Sequence, residues 1–523
     1  LSLFHSPCKK PSAPFTEMIG HCPGGISRVS FATKDKYILT AGKYDRSLFQ
    51  WRLEKSSGDE DGEVLPSRPT TTMKLMEKLG TDKELDAMTE VTPLSFNNDS
   101  MLINGVNFAK DSTPELPKVK PQSLSVLGLS CASFTKQVTA LPVGYYCGSG
   151  DVITCAGCLP VAISSNRTIQ SHWQVPKNEF GYNEDIGVIA VSTDGRTVAM
   201  CEKAPGLVNP LNSAENFQGR QFVFNGSNGM LLSVLPGTIG GGVVSATFSH
   251  DSHSLACVGC CAHHSFTIFH SVEGNWKDPV RLFHGQIDTN PVTVVVSIMQ
   301  SPTNMEFQYA TAGRGRLRLW KVRGRNAVSS PCDISGPMEA ITAMVSVGAG
   351  QLITGDASGT VSLWDGKSCL ETISKAHSRR VSAVCYFESS QSRGGIVGFM
   401  TASNDTIKIW NLNMEVLQEF AVVDVLFRVN RVVENTYVTS MCTDSVFKRL
   451  LITLSNSLIA EISIDSGAVM LLTEGHTSGS FVAIAAHPKE PRILVTGGYD
   501  GWLKCWDIRS QAALEVLNVG EPI

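Results

Sequence analysis

The side chains best suited to chemistry in this sequence are cysteines and histidines whose spacing could hold a metal ion. Cys155 and Cys158 form a Cys-x-x-Cys pair, with Cys147 before it and His172 after it. Such a pair can supply two ligands of a tetrahedral zinc ion. Because no second Cys-x-x-Cys or pair of histidines accompanies it, we favour a structural role for these cysteines as small apolar side chains in a buried strand.

Familiar catalytic motifs are missing from the sequence. It contains no Gly-x-Ser-x-Gly elbow, no phosphate-binding P-loop and no His-Glu-x-x-His zinc motif, and its carboxylates are dispersed. We therefore predict a protein that is not an enzyme and needs no cofactor. An enzyme or metalloprotein is the weaker alternative, and metal analysis showing no stoichiometric zinc would remove its main support.

A strongly basic segment runs from Arg314 to Arg325, with six cations and no acid. The simplest interpretation is a solvated outer strand followed by a basic loop. The alternative is a contact for an acidic partner, because guanidinium groups donate paired hydrogen bonds to carboxylates. The candidate contacts are Arg314, Arg316 and Arg318, together with Arg379 and Arg380 from a later loop.

The composition excludes several classes of protein. The chain has 523 residues, of which 42% are hydrophobic and 18% charged, so it can bury a sizeable core. Its 44 Lys and Arg against 48 Asp and Glu give a net charge of −4, which excludes a globally basic nucleic-acid binder. Its apolar stretches are shorter than the ~20 residues needed to cross a bilayer, so we expect no membrane partner. The 15 scattered cysteines fit a reducing compartment.

Internal repeats are the clearest organising feature of the chain. Three copies carry a His, then a Thr, an Asp in a tight turn and a Trp that ends an alternating strand. The three sets are His21, Thr40, Asp45 and Trp51; His377, Thr401, Asp405 and Trp410; and His476, Thr496, Asp500 and Trp506. Two further copies, ending in Trp320 and Trp364, lack the acidic residue, and Ser358 takes its place in the second.

This pattern is that of a WD-repeat blade, in which the His, Asp, Thr and Trp side chains form a hydrogen-bond network that ties a loop to a sheet. Asp suits the tight turn because its short carboxylate accepts hydrogen bonds from nearby backbone N–H groups. The three sets predict an all-β fold of WD-repeat β-propellers and give the histidines a structural role rather than that of general bases. About seven blade-like units lie between Ile186 and Ile508, at the spacing typical of such repeats.

Two stretches interrupt the series of blades. Residues 54–122 contain an acidic Ser/Gly-rich run and a Pro-rich run, which predict a flexible linker. Residues 124–174 are apolar and rich in Cys but carry no Thr-Asp-Trp set, so we expect a folded module ahead of the propeller. Because the first residue is Leu1 and the count of blades is interrupted, we expect the chain to be a piece of a longer tandem array.

The order of a terminal blade, a linker, an apolar module and a series of atypical blades resembles the echinoderm microtubule-associated protein-like (EMAP-like) family. Large members of that family repeat a hydrophobic HELP motif followed by a tandem pair of atypical propellers. The stretches that carry the resemblance are Gly20 to Leu53, Leu352 to Trp364 with Lys375 to His377, and Glu474 to Pro488, and residues 124–174 are a degenerate match to the HELP motif.

The resemblance implies a division of the chain into four parts. These are a terminal WD-type blade of a preceding unit at 1–53, the linker at 54–122, a HELP-like segment with a first propeller at 123–421, and the beginning of a second propeller at 422–523. It also places a dense group of Cys and His on a strand and its following turn, where alternate side chains point to opposite faces and cannot converge on one ion. That group is Cys257, Cys260, Cys261, His263 and His264.

The resemblance further implies a scaffold that binds tubulin, microtubules and other cytoskeletal or axonemal proteins, in the cytoplasm, the cytoskeleton and the axoneme of a cilium or flagellum. We expect the turn with Arg314 and the loop with Arg379 and Arg380 on one propeller face, where they could engage the glutamate-rich tails of tubulin. The alternative is a general cytoplasmic WD-repeat adaptor for a multiprotein complex.

Overall fold

Strands account for nearly all the regular structure. The computed structural model describes residues 2–4, 15–17, 21, 26–32, 37–42, 47–55, 96–97, 100–103, 106–108, 119–127, 144–167, 169–177, 183–202, 219–235, 242–259, 264–287, 292–298, 306–334, 339–388, 397–428, 436–476, 481–490, 492–507 and 512–520. Within these ranges the strands form nine four-stranded antiparallel sheets, and no helix is long and apolar enough to span a bilayer.

Seven of the nine sheets follow one another along the chain, and we number them ring sheets 1 to 7. Ring sheet 1 comprises Tyr145–Tyr146, Val152–Ala156, Leu159–Ile163 and Gln170–His172; ring sheet 2 Ile186–Val191, Thr197–Glu202, Gln221–Asn225 and Leu231–Leu235; ring sheet 3 Val243–Phe248, Ser254–Gly259, Ser265–His270 and Val280–Gln286; ring sheet 4 Val292–Ser297, Glu306–Gly313, Arg316–Arg323 and Asn326–Pro331. Ring sheet 5 comprises Ile341–Val347, Gln351–Asp356, Val361–Asp365 and Ser368–Ile373; ring sheet 6 Ala383–Glu388, Val397–Ala402, Thr406–Asn411 and Val416–Ala421; ring sheet 7 Val438–Thr443, Arg449–Leu454, Ile459–Ser463 and Val469–Thr473.

The seven sheets close into a β-propeller. The first strands of successive sheets pack against one another, and the first strand of ring sheet 7 packs against that of ring sheet 1. Alternation along each strand supplies the apolar faces between blades. In ring sheet 6, Ile407 and Ile409 face the core shared with ring sheet 7, whereas Trp410 faces the core shared with ring sheet 5. A short helix, α1 (Val422–Arg428), joins ring sheets 6 and 7, and a 3₁₀ turn (Gly348–Gly350) lies within ring sheet 5.

Two further sheets lie before and after the ring in sequence. The N-terminal sheet comprises Ile26–Ala32, Tyr37–Gly42, Leu48–Lys55 and Val119–Leu127, and the C-terminal sheet Phe481–Ala486, Ile493–Gly498, Trp502–Asp507 and Ala512–Asn518. Smaller sheets pair Ser2–Phe4 with Phe15–Glu17, and Phe96–Asn97, Ser100–Ile103 and Val106–Phe108 with one another.

The N- and C-terminal sheets pack together as consecutive blades. In the ring, the second strand of a sheet contacts the first strand of the sheet that follows it, and the Trp of the following sheet faces back toward it. The N- and C-terminal sheets repeat both features, because Leu39 and Ala41 cluster with Trp506. The C-terminal sheet therefore occupies the position after the N-terminal sheet, and the whole ring is inserted between them in sequence.

Strand pairing differs from the sequence-based division in three places. Val119–Leu127, which crosses the expected boundary at 122/123, is the fourth strand of the N-terminal sheet and pairs with Leu48–Lys55. Ring sheet 1 lies within the segment expected to precede the propeller, and ring sheet 7 lies beyond the expected end at 421. Both sheets lack the Thr-Asp-Trp set, so the motif that defined the blades could not mark them. The expected flexibility of 56–95 falls outside the described residues.

The ring closes between ring sheets 1 and 7 through a buried carboxylate. The Glu461 side chain is 3% exposed and accepts hydrogen bonds from the Tyr146 hydroxyl and from Arg167, whose Nε lies 3.1 Å from Oε2. Arg449 Nη1 lies 3.7 Å from the same carboxylate. Burial and the hydrogen bond to Glu461 raise the pKa of Tyr146, which keeps the hydroxyl protonated as a donor. Val161 and Leu451 add an apolar contact across the junction.

We predict that Glu461→Gln loosens this junction. Breaking one partner of a buried ion pair leaves Arg167 uncompensated and costs on the order of 3–5 kcal/mol. Thermal unfolding should report the lost stability, and hydrogen exchange should accelerate at the amides of Gly144 and Tyr146, which donate to side chains of Ser440 and Cys442.

The matched control is Glu202→Gln, which breaks the buried pair between Glu202 and Arg220 within ring sheet 2. It should destabilise the protein without accelerating exchange at Gly144 and Tyr146. Unchanged exchange at those two amides in Glu461→Gln would contradict the assignment of Glu461 to ring closure.

Candidate functional site

A hydrogen bond from a Trp indole to a Thr hydroxyl recurs in five sheets. Each pair joins the second and third strands of its sheet and is buried. The distances between Trp Nε1 and Thr Oγ1 are 2.7 Å for Trp51 and Thr40, 2.8 Å for Trp320 and Thr311, 3.0 Å for Trp364 and Thr354, 2.8 Å for Trp410 and Thr401, and 2.7 Å for Trp506 and Thr496. The bond satisfies the indole N–H that each large ring would otherwise bury without a partner.

In ring sheet 6 the pair extends into a chain of four side chains. His377 Nε2 lies 2.8 Å from Thr401 Oγ1, and His377 Nδ1 lies 3.2 Å from Asp405 Oδ1. Because Asp405 can only accept, Nδ1 carries the proton and Nε2 accepts from the Thr401 hydroxyl. Each buried polar atom of these four side chains thus has a hydrogen-bond partner while the imidazole is neutral.

The pKa shifts of His377 and Asp405 favour the same arrangement. Burial lowers the pKa of His377, and the attraction of Asp405 offsets only part of that effect. For Asp405, burial raises the pKa, but hydrogen bonds from Ser378, Thr406 and His377 outweigh it, so the pKa lies well below its ordinary value. At neutral pH the pair is therefore a neutral imidazole donating to a carboxylate.

The C-terminal sheet repeats the arrangement. His476 Nε2 lies 2.9 Å from Thr496 Oγ1, and Nδ1 lies 2.9 Å from Asp500 Oδ1. Beside it, Lys504 Nζ donates to the Gly475 carbonyl at 2.6 Å and to Glu474. All of these side chains are buried or nearly so, which leaves the histidine no access to a substrate.

The N-terminal sheet shows part of the set. His21 Nε2 lies 2.7 Å from Thr40 Oγ1, and its Nδ1 lies 3.4 Å from the Ser47 hydroxyl. Asp45, which the sequence pattern assigns to this network, lies outside the described residues.

Ring sheets 4 and 5 keep the Trp–Thr bond without the histidine. In ring sheet 5 the turn is held by Asp356, whose Oδ1 accepts from the backbone N–H groups of Ser358 and Thr360 at 2.9 Å. The sequence pattern predicts an acid at the position of Ser358, whereas the acid that holds the turn is Asp356, two residues earlier. The Asp-x-Ser-Gly run is the signal that could have identified it.

Three of the candidate arginines lie on one face of the propeller. Strands 2 and 4 of each sheet run in the same direction, so the turn after strand 2 and the connection after strand 4 lie at the same end. We call this end the upper face. It carries Arg314 in a strand 2–3 turn, and Arg379 and Arg380 in the connection between ring sheets 5 and 6, all three exposed. Within the described part of the chain, the guanidinium groups of Arg314 and Arg379 have no ion-pair partner.

The other two candidate arginines lie along a strand. Arg316 and Arg318 belong to the third strand of ring sheet 4, opposite in face to the buried Leu317. Arg318 is half-buried, and its Nη1 donates to the Ser329 hydroxyl on the fourth strand at 3.2 Å. Its contacts are those of a side chain that braces the sheet, so Arg314, Arg379 and Arg380 are the better candidates for a partner.

The cysteines of the possible zinc sites contact backbone carbonyls in different places. Cys155 Sγ donates to the Ile186 carbonyl and Cys158 Sγ to that of His21. Cys257 is buried beside Cys201, whereas Cys260, Cys261 and His263 lie outside the described residues. Among the residues that are described, no three His, Cys, Asp or Glu side chains converge as metal ligands, and the cysteines form no disulfide.

Ring sheet 3 contains two hydrogen-bonded pairs of a hydroxyl and a histidine that the sequence pattern does not predict. Ser254 Oγ lies 2.9 Å from His270 Nδ1, and Thr267 Oγ1 lies 2.8 Å from His284 Nδ1. Each pair joins neighbouring strands, and both hydroxyls are buried. A buried hydroxyl cannot attack a substrate, so these pairs stabilise the sheet rather than form a nucleophile and base.

The WD domain, G-beta repeat family matches residues 367–411 and 468–507. Each matched stretch begins with the fourth strand of one sheet, passes through the His loop and ends with the Trp strand of the next sheet. The two stretches contain the two complete His–Thr–Asp–Trp sets described above. The chain is a WD-repeat protein. Its fold is that of WD-repeat β-propellers.

Similarity to individual proteins covers only part of the chain. The chain is 31% identical over 113 residues to echinoderm microtubule-associated protein-like 4 of Xenopus tropicalis, which covers 21% of this chain and 11% of that protein. It is 36% identical over 66 residues to the Xenopus laevis protein of the same name, which covers 12% of this chain and 7% of that protein. The matched stretches thus span about a tenth of the length of these relatives.

Solved structures similar to the chain include U3-55K and the RRP9 WD40 repeats. Both are 14% identical to it with a TM-score of 0.44. The first alignment covers 61% of this chain and 89% of the other chain, and the second covers 62% and 92%.

We predict that Thr401→Val destabilises the protein by about 1–3 kcal/mol, because it strands the buried Trp410 indole N–H and His377 Nε2 without changing side-chain size. Urea unfolding measures the loss. Thr354→Val is the matched control: it strands Trp364 alone, so its effect should be smaller. Equal effects would contradict a cooperative role for the histidine.

The pH dependence tests the neutral state of His377. Its folded pKa lies below the unfolded value of about 6.5, so its contribution to stability is complete above that pH and is lost as pH falls toward the folded pKa. We therefore expect the destabilisation caused by His377→Gln to shrink between pH 7 and pH 5 in urea unfolding. A penalty that grew on acidification would show instead that an imidazolium–Asp405 ion pair stabilises the fold.

Proposed function

We propose that this protein is a non-enzymatic scaffold that binds tubulin or microtubules through the upper face of its propeller. The observation that carries the proposal is the exposure of Arg314, Arg379 and Arg380 at that face. Backbone contacts hold the loop with Arg379 and Arg380, since Ser403 Oγ donates to the Arg380 carbonyl at 2.8 Å and the Arg379 carbonyl packs closely on Gly359. Exposed guanidinium groups on one face suit a flexible carboxylate-rich tail, such as the acidic C-terminal tail of tubulin.

The choice of microtubules rests on the partial similarity to relatives named as microtubule-associated proteins. We extend it to the cytoskeleton and to the axoneme of a cilium or flagellum, where a rigid multi-bladed platform could dock several proteins at once. The HELP-like interpretation of residues 124–174 belongs to the same proposal.

A general adaptor in another cytoplasmic complex is the second candidate. It is favoured by the family match itself, because WD repeats support protein–protein docking without specifying the partner. The two candidates share the scaffold role and differ in the partner.

Co-sedimentation with microtubules separates them. We expect the wild-type chain to pellet at low salt and to be released at high salt, because exposed charge pairs are screened. The triple change Arg314→Glu, Arg379→Glu and Arg380→Glu should reduce pelleting at least tenfold.

The matched control makes the same change in charge away from the upper face, with Lys321→Glu, Arg323→Glu and Arg325→Glu around the opposite turn of ring sheet 4. It should pellet like the wild type. Equal losses in both variants would indicate nonspecific attraction, and no pelleting of the wild type would leave the general adaptor.

A further inference from the structure

Helix α1 on the upper face has one buried and one exposed apolar side. Val422, Val425 and Leu426 are almost fully buried in the core between ring sheets 6 and 7. Val423 and Phe427 are 58% and 76% exposed, and their spacing of four residues places them side by side on the outer surface. An exposed Phe on a helix that is otherwise anchored by three buried residues forms a rigid apolar knob.

The helix adjoins the arginine loop through one turn of ring sheet 6. The Ser403 hydroxyl at the start of that turn donates to the carbonyls of Arg379 and Arg380. The backbone carbonyl of Asp405 at its end accepts from the backbone N–H of Val422 at 2.9 Å. The same turn therefore holds the arginine loop on one side and the beginning of α1 on the other.

A second link joins the arginines to the segment that follows α1. The Ser403 carbonyl accepts from the backbone N–H of Val438, and the Arg380 guanidinium lies 6.0 Å from the ring centre of Tyr437. The turn 403–405 thus links Arg380 and Tyr437 on one side and the beginning of α1 on the other, so the upper face carries basic and exposed apolar side chains around the same turn.

The charges of this surface favour an acidic partner. The Asp405 carboxylate accepts hydrogen bonds from His377 and from the backbone N–H of Ser378 at 2.7 Å, and within the described residues it forms no ion pair with Arg379 or Arg380. Asp424, exposed on the first turn of α1, is the acid nearest to Val423 in sequence. A partner that placed carboxylates on the arginines and a large apolar side chain beside Phe427 would satisfy both ends of the surface.

We propose that this surface, formed by Arg379, Arg380, Tyr437, Val423 and Phe427, docks an acidic peptide segment that carries a large apolar or aromatic anchor residue. The proposal rests on the proposed function and narrows it, because a tail of carboxylates alone would use only the arginines. Aromatic anchors in interfaces contribute disproportionately to affinity, whereas exposed charge pairs mainly supply orientation and rate.

Fluorescence anisotropy with two labelled peptides tests the proposal. One is a run of eight glutamates with a central Phe, and the other replaces that Phe by Ser. We expect the Phe peptide to bind the wild-type protein about tenfold more tightly. Phe427→Ser should abolish that preference, Val423→Ser should reduce it, and Asp424→Asn should tighten the binding of both peptides.

Phe31→Ser, which changes an exposed Phe of the N-terminal sheet, is the matched control and should leave the preference unchanged. Equal binding of the two peptides, with Arg379→Glu still weakening both, would overturn the anchor and leave the acidic-partner face intact. If neither peptide bound, or if Arg379→Glu had no effect, the proposed function would fail together with this inference.

Discussion

The carboxylate of Glu461 lies at the point on which the ring depends. Each of the seven ring sheets is built from its own contiguous stretch of chain, so no strand is exchanged to lock the first sheet to the last. Contacts that involve side chains must hold that junction, and among them Tyr146 and Arg167 from ring sheet 1 bind Glu461 from ring sheet 7. A buried carboxylate is favourable only when its hydrogen bonds are satisfied, and at this junction Tyr146 and Arg167 supply them.

The recurring geometry of the upper face follows from a second network of buried hydrogen bonds. The Trp–Thr bond fixes the second strand to the third, and the added His and Asp fix the turn to the preceding loop in ring sheet 6 and in the C-terminal sheet. Loops fixed at both ends keep their exposed side chains in constant positions. A docking platform gains from this, because little conformational entropy remains to be lost on binding.

The sequence predicts a blade in detail only where the hydrogen bonds of that blade require a recognisable motif. The blades with Trp410 and Trp506 were predictable residue by residue, because a polar network needs particular side chains at fixed spacings. Ring sheet 1 was not recognised as a blade, and ring sheet 7 was counted as a unit but assigned to a second propeller, since their packing uses interchangeable apolar residues such as Val161 and Leu451. Glu461, which joins them, is paired with residues some 300 positions away. The seven units counted between Ile186 and Ile508 do exist as sheets, but only six of them belong to the ring.

The placement of the N- and C-terminal sheets shows why strand order alone could not divide the chain. Trp506 packs toward Leu39 and Ala41, as Trp320, Trp364 and Trp410 pack toward the sheets that precede theirs. Sequence proximity would instead have joined the C-terminal sheet to ring sheet 7, which directly precedes it. Ring sheet 7 already packs one face against ring sheet 6 and its Glu461 face against ring sheet 1. Closure of the ring therefore forces the C-terminal sheet to find its neighbour elsewhere, and the N-terminal sheet supplies the matching surface.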